Sequence, residues 1–371
     1  MGTSPTDRAG ARVHSFYSSS TWIEGAAEDQ LAATASLRGV KTIAAFPDLH
    51  PGKYGPVGCA ILSERVHPHL IGNDIGCGMS LFRLDLPARK LRAEKAAKRL
   101  RVLQAPYEGD VESALRAADL PIEYASSLGT IGGGNHFCEV QSINALHEPG
   151  LEKDAAYLLV HSGSRGYGTA VFAPVMTKPL EGFDADSADA EAYLIDQERA
   201  VRWAALNRQI IAERAAKALR SEVTLVADAP HNSIERHADG FLHRKGAAKA
   251  DIPLVPLAGS RDALSYLLHP TGADDDALAS LAHGAGRRYD RRSMHGRVGG
   301  KRSDRDRLAR TSFGGHVVCE DRNLLIEEAP GAYKNAAHCL GELENAGLAK
   351  NVASFRPIVT FKKVDQGRAK R

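Results

Sequence analysis

Long apolar runs are missing from this sequence. Nowhere in its 371 residues do apolar side chains approach the roughly 18–20 uninterrupted positions that a membrane-crossing helix needs, and none of secretory length follows the first basic residues. Cysteine is scarce: Cys59, Cys77, Cys138, Cys319 and Cys339 are odd in number and widely scattered, which excludes a disulfide framework. Net charge is small as well, since 48 Lys plus Arg face 45 Asp plus Glu and leave only +3. That total by itself names no polyanionic partner. Internal repeats are absent, and so is the Gly-Lys-Ser/Thr ending of a phosphate-binding P-loop. These absences together predict a cytoplasmic protein with no membrane partner, its thiols packed mostly as small hydrophobes.

A hydrophobic fraction of 43% and a charged fraction of 25% are those of a folded globular chain. Strand-like runs occur near Lys41–Phe46, Val57–Leu62, Met79–Leu84, Ala156–His161, Val223–Ala227 and Pro357–Lys362, most of them bounded by Gly, Pro or Asp. Helical periodicity covers about Ala88–Leu103, Ala332–Ala346 and, more strongly, Ala190–Arg220, where Leu194, Ala200, Trp203, Leu206 and Ile210 share a side. Strands interrupted by one long helical stretch predict an α+β fold, not a regular βαβ alternation. The expected organisation is a single large domain over residues 1–371, with mixed β-sheets, surrounding helices and a long helical insert at about 170–220.

Glycine is plentiful, 35 residues, and clustered: HPGKYGPVG (50–58), IGNDIGCG (71–78), GTIGGGNH (129–136), HSGSRGYG (161–168) and HGAGR (283–287). Each cluster interleaves Gly with ionisable or polar side chains, so close backbone approach to a ligand is combined with reactive groups. Asp74 and Cys77 stand three residues apart around Gly76, His136 closes a Gly-Gly-Gly-Asn-His run, and His161 and His231 follow apolar strand-like runs. One Asp, one Cys and three His suffice for two adjacent divalent cations sharing a ligand, and by donor softness Zn or Fe suits them. Taken singly, each His reads more readily as a strand-end cap or core residue and Cys77 as a buried thiol, and Asp74 or Asp48 is readable as a turn former. The fifth cluster offers an imidazole, His283, competent as a nucleophile towards phosphorus, with Arg287 and Arg165 as neutralisers of phosphate oxygens, although by itself it reads more readily as a turn with an exposed His. Residues 284–310 carry ten Lys or Arg against Asp290, Asp304 and Asp306, a local surplus of seven. Such a stretch reads either as a phosphate-backbone contact or as a solvated loop.

The motifs DLHPGKYGPVGCA, IGNDIGCGM, LGTIGGGNHFCEV, VHSGSRGYG, HNSIE, RKGAA, HGAGR and EEAPGAYKN, in this order over about Pro47 to Lys362, resemble those of the RtcB family of RNA ligases. The resemblance implies an RtcB-like fold and the joining of RNA ends bearing a 2′,3′-cyclic phosphate or 3′-phosphate to 5′-hydroxyl ends, in RNA repair or tRNA splicing. GTP and two Mn²⁺ ions are the implied cofactors. It further implies that Asp74, Cys77, His136, His161 and His231 hold the two metals with Cys77 bridging, and that His283 forms a covalent histidine–GMP. Asn135 and Glu139 resemble guanylate contacts, Arg165 a phosphate-binding arginine, Ser260 and Tyr333 guanine-pocket residues, and Lys362 the family's late lysine. Family members usually follow HGAGR with a Met-Ser-Arg-like run and carry Pro-Gly-Ser-Met-Gly in the pocket loop. This chain instead has Arg288-Tyr289-Asp290-Arg291 and Ala258-Gly259-Ser260-Arg261-Asp262, and Lys363 replaces the family's Gly after Lys362. Without nucleotidylation, the same ligand set would serve a two-metal phosphoesterase or nuclease. The expected partners are RNA and GTP, with a monomer favoured.

Overall fold

The computed structural model describes residues 10–177, 181–298 and 302–363. Its framework is a large, mostly antiparallel sheet in the order Val255–Leu257, Ser265–Pro270, Ala349–Lys363, Phe137–Leu146, Ala155–Ser162, Gly78–Pro87, Val223–Pro230. His316–Cys319 pairs in parallel with the far half of Ala349–Lys363. The first and last strands of this order come back into contact, so the sheet curls almost into a barrel. A second sheet of five strands runs Arg12–Ser15, Val40–His50, Val57–Ser63, Gly240–Lys245, Asn232–His237. A short pair, Ala247–Lys249 with Ser280–Ala282, accompanies them. Helices packed with a curled sheet and a second, five-stranded sheet make the α+β architecture that the alternation of patterns predicts.

All six expected strand runs are strands here, because each is β-branched or apolar and each central one is buried on both faces; Ala155–Ser162, for instance, is buried throughout. Several further strands escape the sequence reading, Phe137–Leu146 and Ser265–Pro270 of the large sheet among them. Arg12–Ser15 is a short, largely exposed edge, and the hairpin Asn232–His237/Gly240–Lys245 is rich in charge. The helical stretch expected at about 170–220 is the 32-residue helix Ala188–Leu219, preceded by Arg165–Phe172. Ser187 caps the long helix by accepting from the Ala190 amide, and Arg220 ends it in the left-handed region. Leu194, Ala200, Trp203 and Ile210 are buried and Leu206 is partly so. The stretch Ala88–Leu103 is less regular than its periodicity predicts: only Ala93–Leu100 is α-helical, flanked by 3₁₀ turns.

The basic stretch 284–310 forms two short helices, Arg291–Arg297 and Arg302–Leu308, not an open loop, with 299–301 outside the described residues. Asp290 caps the first by accepting from the Arg292 and Ser293 amides, so one of its three acids serves the backbone. No helix among the described residues is long and apolar enough to cross a membrane.

Candidate active site

Strand register explains why distant residues meet. In the large sheet Phe137 lies opposite His161, His161 opposite Met79, and Met79 opposite Ala229. Cys77 and His136 precede their strands by one residue, and His231 follows its strand by one. Four donors from four neighbouring strands therefore collect at one end of the sheet. The His231 amide donates to the Cys77 carbonyl at 2.8 Å, and the Gly76 amide to the Asn232 carbonyl at 2.8 Å. Gly76 turns the Asp74–Cys77 loop at φ +69, and a Cβ there would lie 2.7 Å from Val201 Cα of the long helix. Only glycine allows that loop to press so closely on the helix.

The long helix fixes these loops from behind with polar side chains that are themselves buried. Arg208, fully buried, donates to the Gly76 carbonyl at 2.8 Å and the Ser162 carbonyl at 3.0 Å while pairing with Asp228. Asn207 accepts from the Gly129 amide at 2.7 Å and donates to the Thr130 carbonyl and Ser162 Oγ, both at 3.1 Å. Thus the helix holds the backbone on either side of Cys77 and His161 without occupying their donor atoms.

The donor atoms form two overlapping groups: Cys77, His161 and His231 in one, Asp74, Cys77 and His136 in the other. Cys77 Sγ lies 3.1 Å from His161 Nε2 and 3.3 Å from His136 Nε2. His161 Nε2 is 3.3 Å from His231 Nε2, and His136 Nε2 is 2.9 Å from Asp74 Oδ2. His161 Nδ1 faces the Asn135 carbonyl at 3.2 Å. A carbonyl only accepts, so that nitrogen carries the proton and the inner Nε2 presents a lone pair. Lone pairs, a thiol and a carboxylate converging at contact distance are the chemistry of a cation-binding set, and the shared sulfur suits a bridging position. Burial, reinforced by neighbouring imidazoles, holds His161 and His231 well below the usual histidine range, keeping both neutral as ligands require. Burial and then the Asp74 carboxylate push the Cys77 thiol well up, so cation binding at this group would expel a proton.

His283 follows the strand Ser280–Ala282, beside the cluster: its ring centroid is 4.7 Å from that of His231. Its Nδ1 is 2.6 Å from Oδ2 of the fully buried Asp48, and its backbone amide donates to the same oxygen at 3.2 Å. Asp48 therefore holds the Nδ1–H tautomer and leaves Nε2 with a lone pair, the arrangement of an activated imidazole. The close fit continues in Gly286, φ +71, where a Cβ would lie 2.3 Å from the Asp48 carbonyl oxygen. Sequence reasoning took Asp48 only as a turn former. Its partner lies 235 residues away, and the sole local signal was its place two residues before the first Gly-rich cluster.

A cavity of about 400 Å³ joins these groups to a second set of side chains. Its wall includes Asp74, Cys77, Asn135, Glu139, His161, His231, Ser260, His283, Arg287, Tyr333 and Lys362. Of the thirteen site residues read from the sequence, only His136 and Arg165 stand behind the wall. Arg165 approaches His136 Nδ1 at 3.3 Å from the outer side. At the far end two carboxyl groups differ sharply. Burial pushes Glu139 up to about 7, although Thr360 and Gln141 donate to it. Burial would also raise Glu328, but Lys362, Arg287 and the Tyr333 hydroxyl hold it down to about 2. Arg287 donates to Glu328 at 3.0 Å and to the Glu327 carbonyl at 2.8 Å, so its guanidinium braces the pocket floor. Arg261, where the family has Met, is buried and donates to the carbonyls of Glu328 at 2.6 Å and Leu325 at 3.0 Å. Lys245, also in the wall, donates to the Ile71 carbonyl at 2.8 Å. Glu328, Arg261 and Lys245, like Asp48, were not read as site residues from sequence, because each acts through partners remote along the chain.

The family model for tRNA-splicing ligase RtcB matches residues 30–120 and 117–363. The RNA-splicing ligase RtcB2 of Escherichia coli is 40% identical over 363 residues, covering 94% of this chain and 95% of the relative. The RNA-splicing ligase RtcB1 of the same species is 28% identical, covering 92% and 95%. The tRNA-splicing ligase RtcB of Thermococcus kodakarensis is 27% identical and covers 89% of each.

Proposed function

The chain belongs to the RtcB family, and from that premise we propose that it is an RNA ligase joining RNA ends with a 2′,3′-cyclic phosphate or 3′-phosphate to 5′-hydroxyl ends, with GTP as co-substrate. The observation that carries this reading is a tautomer-fixed imidazole, His283 on Asp48, beside a five-donor cluster in the same cavity as a buried acidic pocket. A phosphoesterase needs the cluster but has no use for the braced imidazole or the pocket.

Asp74, Cys77, His136, His161 and His231 would hold two Mn²⁺ ions, which would supply positive charge against the phosphate oxygens. Neutral His283 attacks the α-phosphorus of GTP through Nε2. The Nε2–P bond forms as the bond to pyrophosphate breaks, and Asp48 stabilises the imidazolium character left on the ring. Glu139, Ser260, Tyr333 and Lys362 receive the guanine, with Arg287 and Glu328 as the floor beneath it. Asn135 contacts the guanylate, and Arg165 supports the phosphate side from behind His136.

A cyclic phosphate end is first hydrolysed to the 3′-monophosphate. An oxygen of that phosphate then takes GMP from His283, breaking the P–N bond and restoring the neutral imidazole. The 5′-hydroxyl oxygen finally attacks the RNA phosphorus, loses its proton and expels GMP. Holding both ends in one cavity supplies much of the rate gain.

Incubation with α-labelled GTP and Mn²⁺ tests the reading. An acid-labile, alkali-stable protein–GMP adduct is expected, abolished in His283→Ala. A wild-type protein that makes no adduct yet cleaves phosphodiesters would be the two-metal hydrolase instead.

A further inference from the structure

Trp22 is an exposed aromatic side chain, 43% accessible. It lies in the loop between Arg12–Ser15 and the helix Gly25–Ala35, and that loop is stapled in place by Glu342. The Ser18 amide and hydroxyl donate to Glu342 at 2.9 and 2.6 Å, and the Thr21 hydroxyl donates to it at 2.8 Å. An exposed indole on a rigid support costs little ordering entropy when it is covered.

Cations surround this indole. The Arg288 guanidinium is 5.8 Å from the Trp22 ring and 5.3 Å from the Tyr289 ring, while Lys334 Nζ is 5.7 Å from Trp22. Arg297 lies 3.7 Å from the Tyr289 ring. The patch adjoins the cavity. Arg287 and Arg291, on either side of Arg288 and Tyr289, line it, and Lys334 donates to the carbonyls of Pro47 and Leu49 that flank Asp48. Nearby acids are few: Asp290 caps a helix, Glu327 and Glu328 pair with arginines, and Glu24 faces Lys334.

Resting on the RNA-ligase reading above, we propose that Trp22, framed by Arg288, Tyr289 and Lys334, is a stacking platform for an unpaired base of the RNA close to its reacting end. Arg288, Arg292 and Arg297 take the adjoining phosphates. The alternation of π-faces and cations is the pattern that binds single strands irrespective of sequence. A protein partner would need a continuous apolar face, and the indole stands among cations instead.

The chain offers its own reporter, since it has two tryptophans and Trp203 is fully buried. Titration of the whole protein with short single-stranded RNA should quench Trp22 emission, and the residual emission of Trp22→Phe should not respond. Trp22→Ala should weaken RNA binding on the order of 5- to 100-fold, with Trp22→Phe restoring most of it. Binding of a base-free inorganic polyphosphate should be nearly unaffected by either change. The proposal is overturned by absence of quenching in the wild type, by equal quenching in Trp22→Phe, by unaltered RNA affinity in Trp22→Ala, or by an equal loss for polyphosphate. Protein–GMP adduct formed with GTP alone counts active sites in each preparation. If the wild type forms none, it is the ligase reading that fails, whatever the fluorescence shows.

Discussion

Asp48 and His283 show how one contact fixes the tautomer of a common side chain. An isolated imidazole exchanges tautomers freely, whereas a buried carboxylate 2.6 Å from Nδ1 fixes the proton there. Asp48→Asn preserves shape but not the acceptor preference, so protein–GMP formation should slow on the order of 10²–10⁴-fold while GTP binding persists. A rate within a factor of a few of wild type, measured by quenched-flow labelling, would remove Asp48 from the mechanism. The two pocket carboxyls make a second point at this scale. Glu139, raised to about 7 by burial, binds more protons when folded than when unfolded between its ordinary value near 4.5 and 7. Stability therefore falls as pH rises through that window. Glu139→Gln removes the term, so thermal melts should show its Tm gaining on the wild type from pH 5 to pH 8. Parallel curves would mean that Glu139 ionises normally in the fold. Glu328 has the opposite sign: its pairing with Lys362, Arg287 and Tyr333 contributes stability above about 4.5, which is lost only as pH falls towards 2.

At the scale of elements, the long helix Ala188–Leu219 is the back-plate of the loops that carry Asp74, Cys77 and His161. Its apolar positions were legible as a 3.6-residue stripe, because burial against a sheet imposes that period. Its functional positions were not. Asn207 and Arg208 look like surface residues in sequence, yet both are fully buried, and their partners are backbone carbonyls and amides that no pattern advertises. Gly76→Ala tests this coupling. The added methyl would meet Val201 Cα at 2.7 Å and Ala204 Cβ at 2.9 Å, at a φ of +69 that alanine resists. We expect a loss of about 2–4 kcal/mol in stability, and bound manganese, by elemental analysis, reduced in the protein that remains folded. Full metal content with an unchanged melt would show the helix and the loop to be independent.

For the whole molecule, Phe137–Leu146 and Ser265–Pro270 went unread, but six other strands were readable as apolar or β-branched runs. The sheet order was not, since it depends on pairings across the chain such as Ala349–Lys363 with Phe137–Leu146. Asp74, Cys77, His136 and His161 stood out by their Gly-rich settings and His231 by its place after an apolar run, but the convergence of Cys77 and the three histidines rests on four strands sharing one register level. Charge behaves similarly. The total of +3 conceals a basic face, because the surplus in 284–310 is offset by a faintly acidic remainder. Arg292 and Arg297 are exposed on the helix Arg291–Arg297, and neither contacts the donor cluster. If that helix takes phosphates, each cation accounts for about 0.7 of the logarithmic salt slope on single-stranded RNA. The double substitution Arg292→Ser with Arg297→Ser should then weaken RNA binding at low salt and reduce that slope by about 1.4. Adduct formation with GTP alone, which involves no RNA backbone, provides the internal comparison. Equal slopes for wild type and double variant, from binding isotherms at several salt concentrations, would place the RNA path on another face.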